Sequence, residues 1–124
     1  MRHDSIRKYI AEQQLTSNMN NTKWKELIKE ITSDTEYDPR VNIKYLMDKD
    51  NNGKFSTVWW DEVEQYGFDS IEWIEINPIK EISIGRLVAP KTIDYSDFIK
   101  KRLDKQTIPY EIIDGIFKVY GYKR

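Results

Sequence analysis

The sequence of 124 residues has no cysteine, one histidine and five glycines, none of them adjacent to another. Without cysteine, the chain can form neither a disulfide nor a thiolate zinc site, and it offers no cysteine nucleophile. The histidine, His3, stands near the N-terminus, which argues against a serine–histidine pair and a multi-histidine metal site. The isolated glycines form no phosphate-binding loop. We therefore expect no cofactor.

The chain also has no long apolar run, and its mean hydropathy is −0.75. This excludes a membrane-spanning helix and a membrane partner. The net charge of −1 excludes a strongly basic arm, so a nucleic-acid partner is not expected. An aromatic content of 13% argues against disorder. No apolar signal sequence follows the first charged residues, and together with the absence of cysteine this predicts a cytoplasmic location.

The N-terminal part predicts two helices. Ile6, Tyr9 and Ile10 have helical spacing within a short helix over Ser5–Leu15. A second helix is predicted from an apolar stripe at i, i+3, i+4 and i+7. The stripe consists of Trp24, Leu27, Ile28 and Ile31, with Asn21 or Thr22 as the N-cap. We expect residues 1–21 to form a helical extension and residues 22–124 a single α+β domain.

Three segments in the middle of the chain are predicted as strands from their β-branched and aromatic content. They are Arg40–Met47, Ser70–Ile76 and Ile82–Val88. The tract Phe55–Tyr66 is compatible with either a strand or a short helix. In a regular strand Glu72 and Glu75 would lie on opposite faces.

The C-terminal part predicts a helix followed by a β-hairpin. Asp94 begins the helix, and its apolar stripe consists of Tyr95, Phe98, Ile99 and Leu103. Asp114-Gly115 favours a type I′ turn, which places Glu111 opposite Lys118. The same register predicts one apolar face formed by Tyr110, Ile112, Phe117 and Val119. The predicted fold class is α+β: two N-terminal helices, a mostly antiparallel sheet, and one helix before a C-terminal β-hairpin.

Charge is distributed unevenly along the chain. Residues 55–79, the acidic tract, contain no lysine or arginine, six acids and three of the four tryptophans. This pattern is typical of a surface that binds a basic protein, because charges steer the encounter and aromatic side chains supply buried area. The predicted partner-binding residues are Trp59, Trp60, Asp61, Glu62, Glu64, Glu72, Trp73 and Glu75. Alternatively, the tryptophans belong to the core and the acids form a solvated rim.

The segment before the acidic tract resembles the first half of a calcium-binding loop. Asp48, Asp50 and Asn52 have the spacing of oxygen ligands, and Gly53 permits the sharp turn. However, the twelfth position, where a bidentate glutamate is required, is Trp59. The same residues are also typical of an ordinary turn, so the calcium hypothesis is weak.

Several short motifs resemble a known family. They are Thr22-Lys23-Trp24, Ile71-Glu72-Trp73-Ile74-Glu75-Ile76, Gly85-Arg86-Leu87, Ile108-Pro109-Tyr110-Glu111 and Tyr120-Gly121-Tyr122. From residue 22 to 122 the chain resembles a family of small bacterial proteins known only as a domain of unknown function. This resemblance implies no catalytic residue. In general type, but not in sequence, the chain is also similar to immunity proteins of bacterial toxin systems, which are small, acidic in one patch and rich in aromatics.

The sequence favours a non-enzymatic bacterial protein-binding domain of unknown specific role. Its most specific form is an immunity or antitoxin-like protein that binds a basic partner through an acidic and aromatic surface. The alternative is a small carboxylate-dependent hydrolase, because paired carboxylates can act as acid and base, although no motif fixes which two would pair. A homodimer through exposed sheet edges is also left open.

Overall fold

The computed structural model describes residues 2–124, with side chains from residue 4 onward, so the side chain of His3 lies outside the described residues. This part of the chain forms four α-helices, one 3₁₀ helix and eight β-strands. The helices are α1 (Arg2–Glu12), α2 (Asn21–Ile31), α3 (Trp60–Tyr66) and α4 (Ser96–Lys105), and the 3₁₀ helix is Phe68–Ser70. The strands are β1 (Thr16–Ser17), β2 (Arg40–Tyr45), β3 (Ile71–Asn77), β4 (Ile79–Ile82), β5 (Lys91–Asp94), β6 (Glu111–Ile113), β7 (Ile116–Tyr120) and β8 (Tyr122–Lys123).

The centre of the fold is an antiparallel sheet in the order β2-β3-β7-β6. Alternate residues of its strands face α2 and α4 and form the main core with them. Trp24 and Leu27 of α2 and Leu103 of α4 are fully buried there, as their helical spacing predicts. The predicted α+β class is confirmed. None of the helices described is long and apolar enough to cross a bilayer.

The N-cap of helix α2 lies one residue before the first of the two predicted caps. The side chain of Asn20, rather than that of Asn21 or Thr22, accepts a hydrogen bond of 2.8 Å from the backbone N–H of Lys23. An asparagine in this position satisfies a first-turn N–H group that has no partner within the helix.

The C-terminal hairpin has the predicted register. Glu111 pairs with Lys118 and Ile112 with Phe117, and both Asp114 and Gly115 have the positive φ angles of a type I′ turn. The predicted apolar face is only partly buried: Phe117 is in the core, whereas Ile112 remains 51% exposed. The reason is that β6 lies at the edge of the sheet.

The prediction of a strand over Ile82–Val88 is wrong. Strand β4 ends at Ile82 and pairs with β5, and residues 83–90 form the loop between them. Gly85 and Pro90 interrupt the alternation that a strand would need. Asp94 consequently ends β5 instead of beginning the helix, and its carboxylate accepts a 2.8 Å hydrogen bond from the backbone N–H of Ser96.

The N-terminal helix packs on the rest of the fold. Ile6 of α1 is buried against Leu46 and Tyr122 in a second, smaller apolar cluster. Strand β1, which follows this helix, pairs with β8 in a two-stranded sheet and so ties the N-terminal part to the C-terminus. The division into an extension of residues 1–21 and a domain of residues 22–124 stays a prediction.

Candidate functional site

A groove of about 910 Å³ opens along the outer edge of β2, between helix α3 and the loop of residues 48–58. Its floor includes Val41, Ile43 and Tyr45 of β2. We call it the acidic-aromatic groove after the side chains that give it its character. These are Tyr45, Asp48, Asp50, Trp59, Glu62 and Tyr66.

Helix α3 forms one wall of the groove. Trp59, Glu62, Val63 and Tyr66 follow at i, i+3, i+4 and i+7, which places them on one face of the helix. Val63 is buried beneath this face, whereas Trp59 is 78% exposed at the start of the helix. Of the segment Phe55–Tyr66, which the sequence left undecided, residues 60–66 form a helix, and Ser56 forms an isolated β-bridge with Val41. The carboxylate of Glu62, in the first turn of α3, also interacts favourably with the helix dipole.

The opposite wall is a loop fixed by a pair of asparagines. Asn42 donates to Asn51 at 2.8 Å, and Asn51 donates back to Asn42 at 3.0 Å. The oxygen of Asn51 also accepts from the backbone N–H of Gly53, whose φ of +71° suits glycine. Asn42 is only 5% exposed, whereas Asn51 lies in the exposed loop, so the contact ties the loop to a buried position of β2. The loop is therefore held in place before any ligand binds.

The same loop contains the three residues of the calcium hypothesis. The side-chain oxygen of Asn52 accepts from the backbone N–H of Lys54 at 2.9 Å, and Asp48 accepts from the N–H of Tyr45 at 3.4 Å. Within residues 4–124 no group of three acidic or histidine side chains could hold a metal ion. The geometry is that of a self-capped turn, and it gives the calcium hypothesis no support.

Among the described residues, no ion pair neutralises the carboxylates of the groove. None of the ion pairs among the described side chains involves Asp48, Asp50 or Glu62. The groove lining includes one basic residue, Lys54. The concave surface is therefore negative, and its charges are available to a partner.

The other predicted partner-binding residues lie outside the groove, and the carboxylates of Glu64 and Glu75 are already engaged by other side chains. Glu64 forms an ion pair with Lys25 at 3.4 Å, on another side of α3 from the groove. Glu75 accepts a 3.1 Å hydrogen bond from Asn42, on the outer face of the central sheet. Asp61 is exposed next to the groove face, and Trp60 packs against the main core.

Glu72 occupies a bulge in β3. Tyr45 pairs with Ile71 and Lys44 with Trp73, so Glu72 has no partner of its own in the ladder. Its carboxylate instead reaches Lys44 at 3.1 Å. The bulge breaks the strict alternation that would have placed Glu72 and Glu75 on opposite faces.

A smaller cleft of about 420 Å³ contains Glu72 and Trp73. The protein's own cations cover its aromatic rings: Lys118 lies 4.2 Å from the ring of Trp73, and Lys123 lies 4.5 Å from that of Tyr120. A cationic ligand would have to displace them. Of the eight predicted binding residues, Trp59 and Glu62 thus line the acidic-aromatic groove. Glu72 and Trp73 line the smaller cleft, and the other four line neither.

The fold and the groove define a small α+β domain with a preformed, negatively charged concave surface. Residues 6–124 match the family of unknown function DUF6678, and the chain belongs to this family. The match confirms the resemblance over residues 22–122 and extends it into α1. None of the curated proteins and none of the solved structures compared with the chain matches it.

Proposed function

We propose that the protein is a non-enzymatic binding domain whose acidic-aromatic groove accepts a basic segment of a partner protein. The observation that carries this proposal is the exposed Trp59 beside the unpaired carboxylates of Asp48, Asp50 and Glu62. An exposed tryptophan at the mouth of a groove can supply a large buried contact area, and the carboxylates steer a basic partner toward it. The rigid Asn42–Asn51 wall lowers the entropic cost of binding.

A basic toxin is the most specific partner class within this proposal. The domain would then act as an immunity or antitoxin-like protein in the bacterial cytoplasm. The support is a likeness of type: the chain is small and rich in aromatics, and its residues 55–79 contain six acids but no lysine or arginine. The hydrolase alternative has less support, because Glu62, Asp69 and Glu72 of the acidic tract line three separate clefts.

Affinity purification with the full chain as bait tests the proposal. We expect a stoichiometric basic protein that is bound at low salt and released at high salt, because exposed charges are screened. Trp59→Ala should abolish its capture, and Glu62→Gln should reduce it. Glu64→Gln is the matched control, since Glu64 lies on the same helix but is engaged with Lys25 outside the groove.

Two results would overturn the proposal. One is a partner that the Trp59 and Glu62 variants retain as well as the unmodified protein does. The other is that, at low salt, no basic protein is captured by the unmodified chain and lost by the groove variants. If a partner is captured, mass spectrometry of the eluate identifies it. The immunity form of the proposal requires that this partner be toxic to cells when it is expressed alone.

A further inference from the structure

The loop of residues 83–90 carries apolar side chains into solvent. Leu87 is 100% exposed, Ile84 59% and Val88 58%. Single exposed apolar residues are ordinary, but three on one loop form a patch of the kind that marks an interaction site. We call this loop the hairpin tip.

The hairpin tip is presented on an arm of its own. Strands β4 and β5 form a separate two-stranded sheet that is not hydrogen-bonded to the central one. At its base, Tyr95 donates from its backbone N–H to the carbonyl of Pro78 at 2.9 Å. The side chain of Lys80 also donates to the carbonyl of Glu36. The arm is anchored at its base, and its apolar end projects from the fold.

The charge of the hairpin tip is opposite to that of the groove. The hairpin tip contains Arg86 and no acid, and Lys91 follows it at the start of β5. The groove instead has three unpaired carboxylates and aromatic rings on its wall. The same chain thus carries an exposed basic-apolar element and a concave acidic-aromatic surface.

We propose that the hairpin tip of one copy docks into the acidic-aromatic groove of a second copy of this chain. In this contact Leu87 packs against Trp59, and Arg86 faces the groove carboxylates. The tip and the groove are different surfaces, so each contact is heterologous, and a pair of copies joined by one such contact retains one free tip and one free groove. This inference rests on the proposed function, because the groove is the receptor in both, and a second copy would compete there with any other basic partner.

Light scattering of the full-length protein over a wide concentration range tests the inference. We expect the mass of the unmodified protein to rise with concentration and to fall again at high salt. The tip variant combines Arg86→Glu with Leu87→Asp, and the groove variant combines Trp59→Ala with Glu62→Lys. Each variant should weaken association by roughly tenfold or more. Ile113→Asp is the matched control, because it places the same kind of charge on the exposed C-terminal hairpin.

Mixing the two variants gives the decisive measurement. The tip variant keeps an intact groove and the groove variant an intact tip, so their mixture should form a one-to-one complex that does not grow further. Thermal melting of each variant confirms that it is folded. A protein that is monomeric at all concentrations, or a mixture that stays monomeric although both variants are folded, would overturn the inference.

The outcome for self-association is distinguishable from that for the proposed function. If the unmodified protein stays monomeric while the Trp59 variant still loses a captured basic protein, self-docking is wrong and the proposed function stands. If the mixture of variants forms its complex, self-docking is supported whether or not another partner is captured.

Discussion

The ring of Tyr66 on α3 lies 4.5 Å from the ring of Tyr45 on β2, centroid to centroid, with an angle of 60° between their planes. This contact joins the last residue of the helix to the edge strand of the central sheet. Burial raises the pKa of Tyr45, and the nearby Tyr66 and Asp48 add to the effect, so the Tyr45 phenol stays neutral over the physiological range. The two rings hold the wall of the acidic-aromatic groove against its floor.

The Tyr45–Tyr66 contact predicts an energetic coupling between the two residues. In a double-mutant cycle with Tyr45→Leu and Tyr66→Leu, we expect a coupling free energy of about 0.5–1.5 kcal/mol, the range typical of aromatic pairs. Denaturant unfolding of the four proteins measures it. As a control, Tyr66→Leu should be additive with Tyr110→Leu, because Tyr110 contacts Phe117 instead. Additivity in the Tyr45–Tyr66 cycle would contradict the prediction.

The parts of the fold that could be predicted from the sequence are those with local signals. The apolar stripe from Trp24 to Ile31 predicts α2, and Asp114-Gly115 predicts the turn and its register. Both depend on residues only a few positions apart. The β4–β5 hairpin could not be predicted in the same way. Its strands are short, and the most apolar part of this segment, around Leu87, lies in the exposed loop.

The groove was predicted only in fragments. Asp48 to Asn52 indicated a calcium loop, and Trp59 and Glu62 indicated a binding surface, but nothing in the sequence shows that the two segments face each other. Their arrangement depends on the pairing of Asn42 with Asn51 and on α3 packing beside β2, both of which are contacts made in the folded chain. The local signals for the shape of the loop were Asn51 and Asn52, each of which accepts from a backbone N–H two residues further on in an Asx turn.

Gly121 is predicted to be intolerant of any side chain. A Cβ atom added there would lie 2.3 Å from the backbone oxygen of Ile71 and 3.1 Å from the ring of Trp24. Gly121→Ala should therefore lower the free energy of unfolding by about 1–3 kcal/mol, as overpacking does. Gly85→Ala is the control, because its nearest neighbour would be Val88 at 3.4 Å in the exposed hairpin tip. Chemical denaturation measures the free energy of unfolding of both variants. Equal values would contradict the prediction that position 121 tolerates no side chain.

Ile6 tests whether α1 is integral to the fold. Its side chain is 1% exposed and packs with Leu46 and Tyr122. If α1 unfolds together with the domain, Ile6→Ala should lower the free energy of unfolding by about 2–5 kcal/mol. If residues 1–21 behave as an independent extension, the main thermal transition will not move. The exposed Ile84→Ala serves as the control and should shift stability by no more than about 0.5 kcal/mol.

The carboxylate of Glu30 joins α2 to α4 and should make stability depend on pH. Burial by itself would raise the pKa of Glu30. The hydrogen bond from Gln106 and the charges of Lys105 and Arg102 outweigh burial and lower it. Because the folded pKa lies below the ordinary value of 4.5, the stabilisation is complete above that pH and disappears as the pH falls through the folded pKa.

At neutral pH, Glu30→Gln should therefore reduce the free energy of unfolding by roughly 1–2 kcal/mol, because the substitution removes the charge-assisted hydrogen bonds of the carboxylate. The difference from the unmodified protein should shrink as the pH is lowered, since protonation removes the same interactions from Glu30 itself. Urea unfolding across this pH range measures the difference. Glu64→Gln, at the exposed pair with Lys25, should change stability by less than about 1 kcal/mol at every pH. A Glu30→Gln effect that is independent of pH would show that the side chain acts by packing rather than by charge.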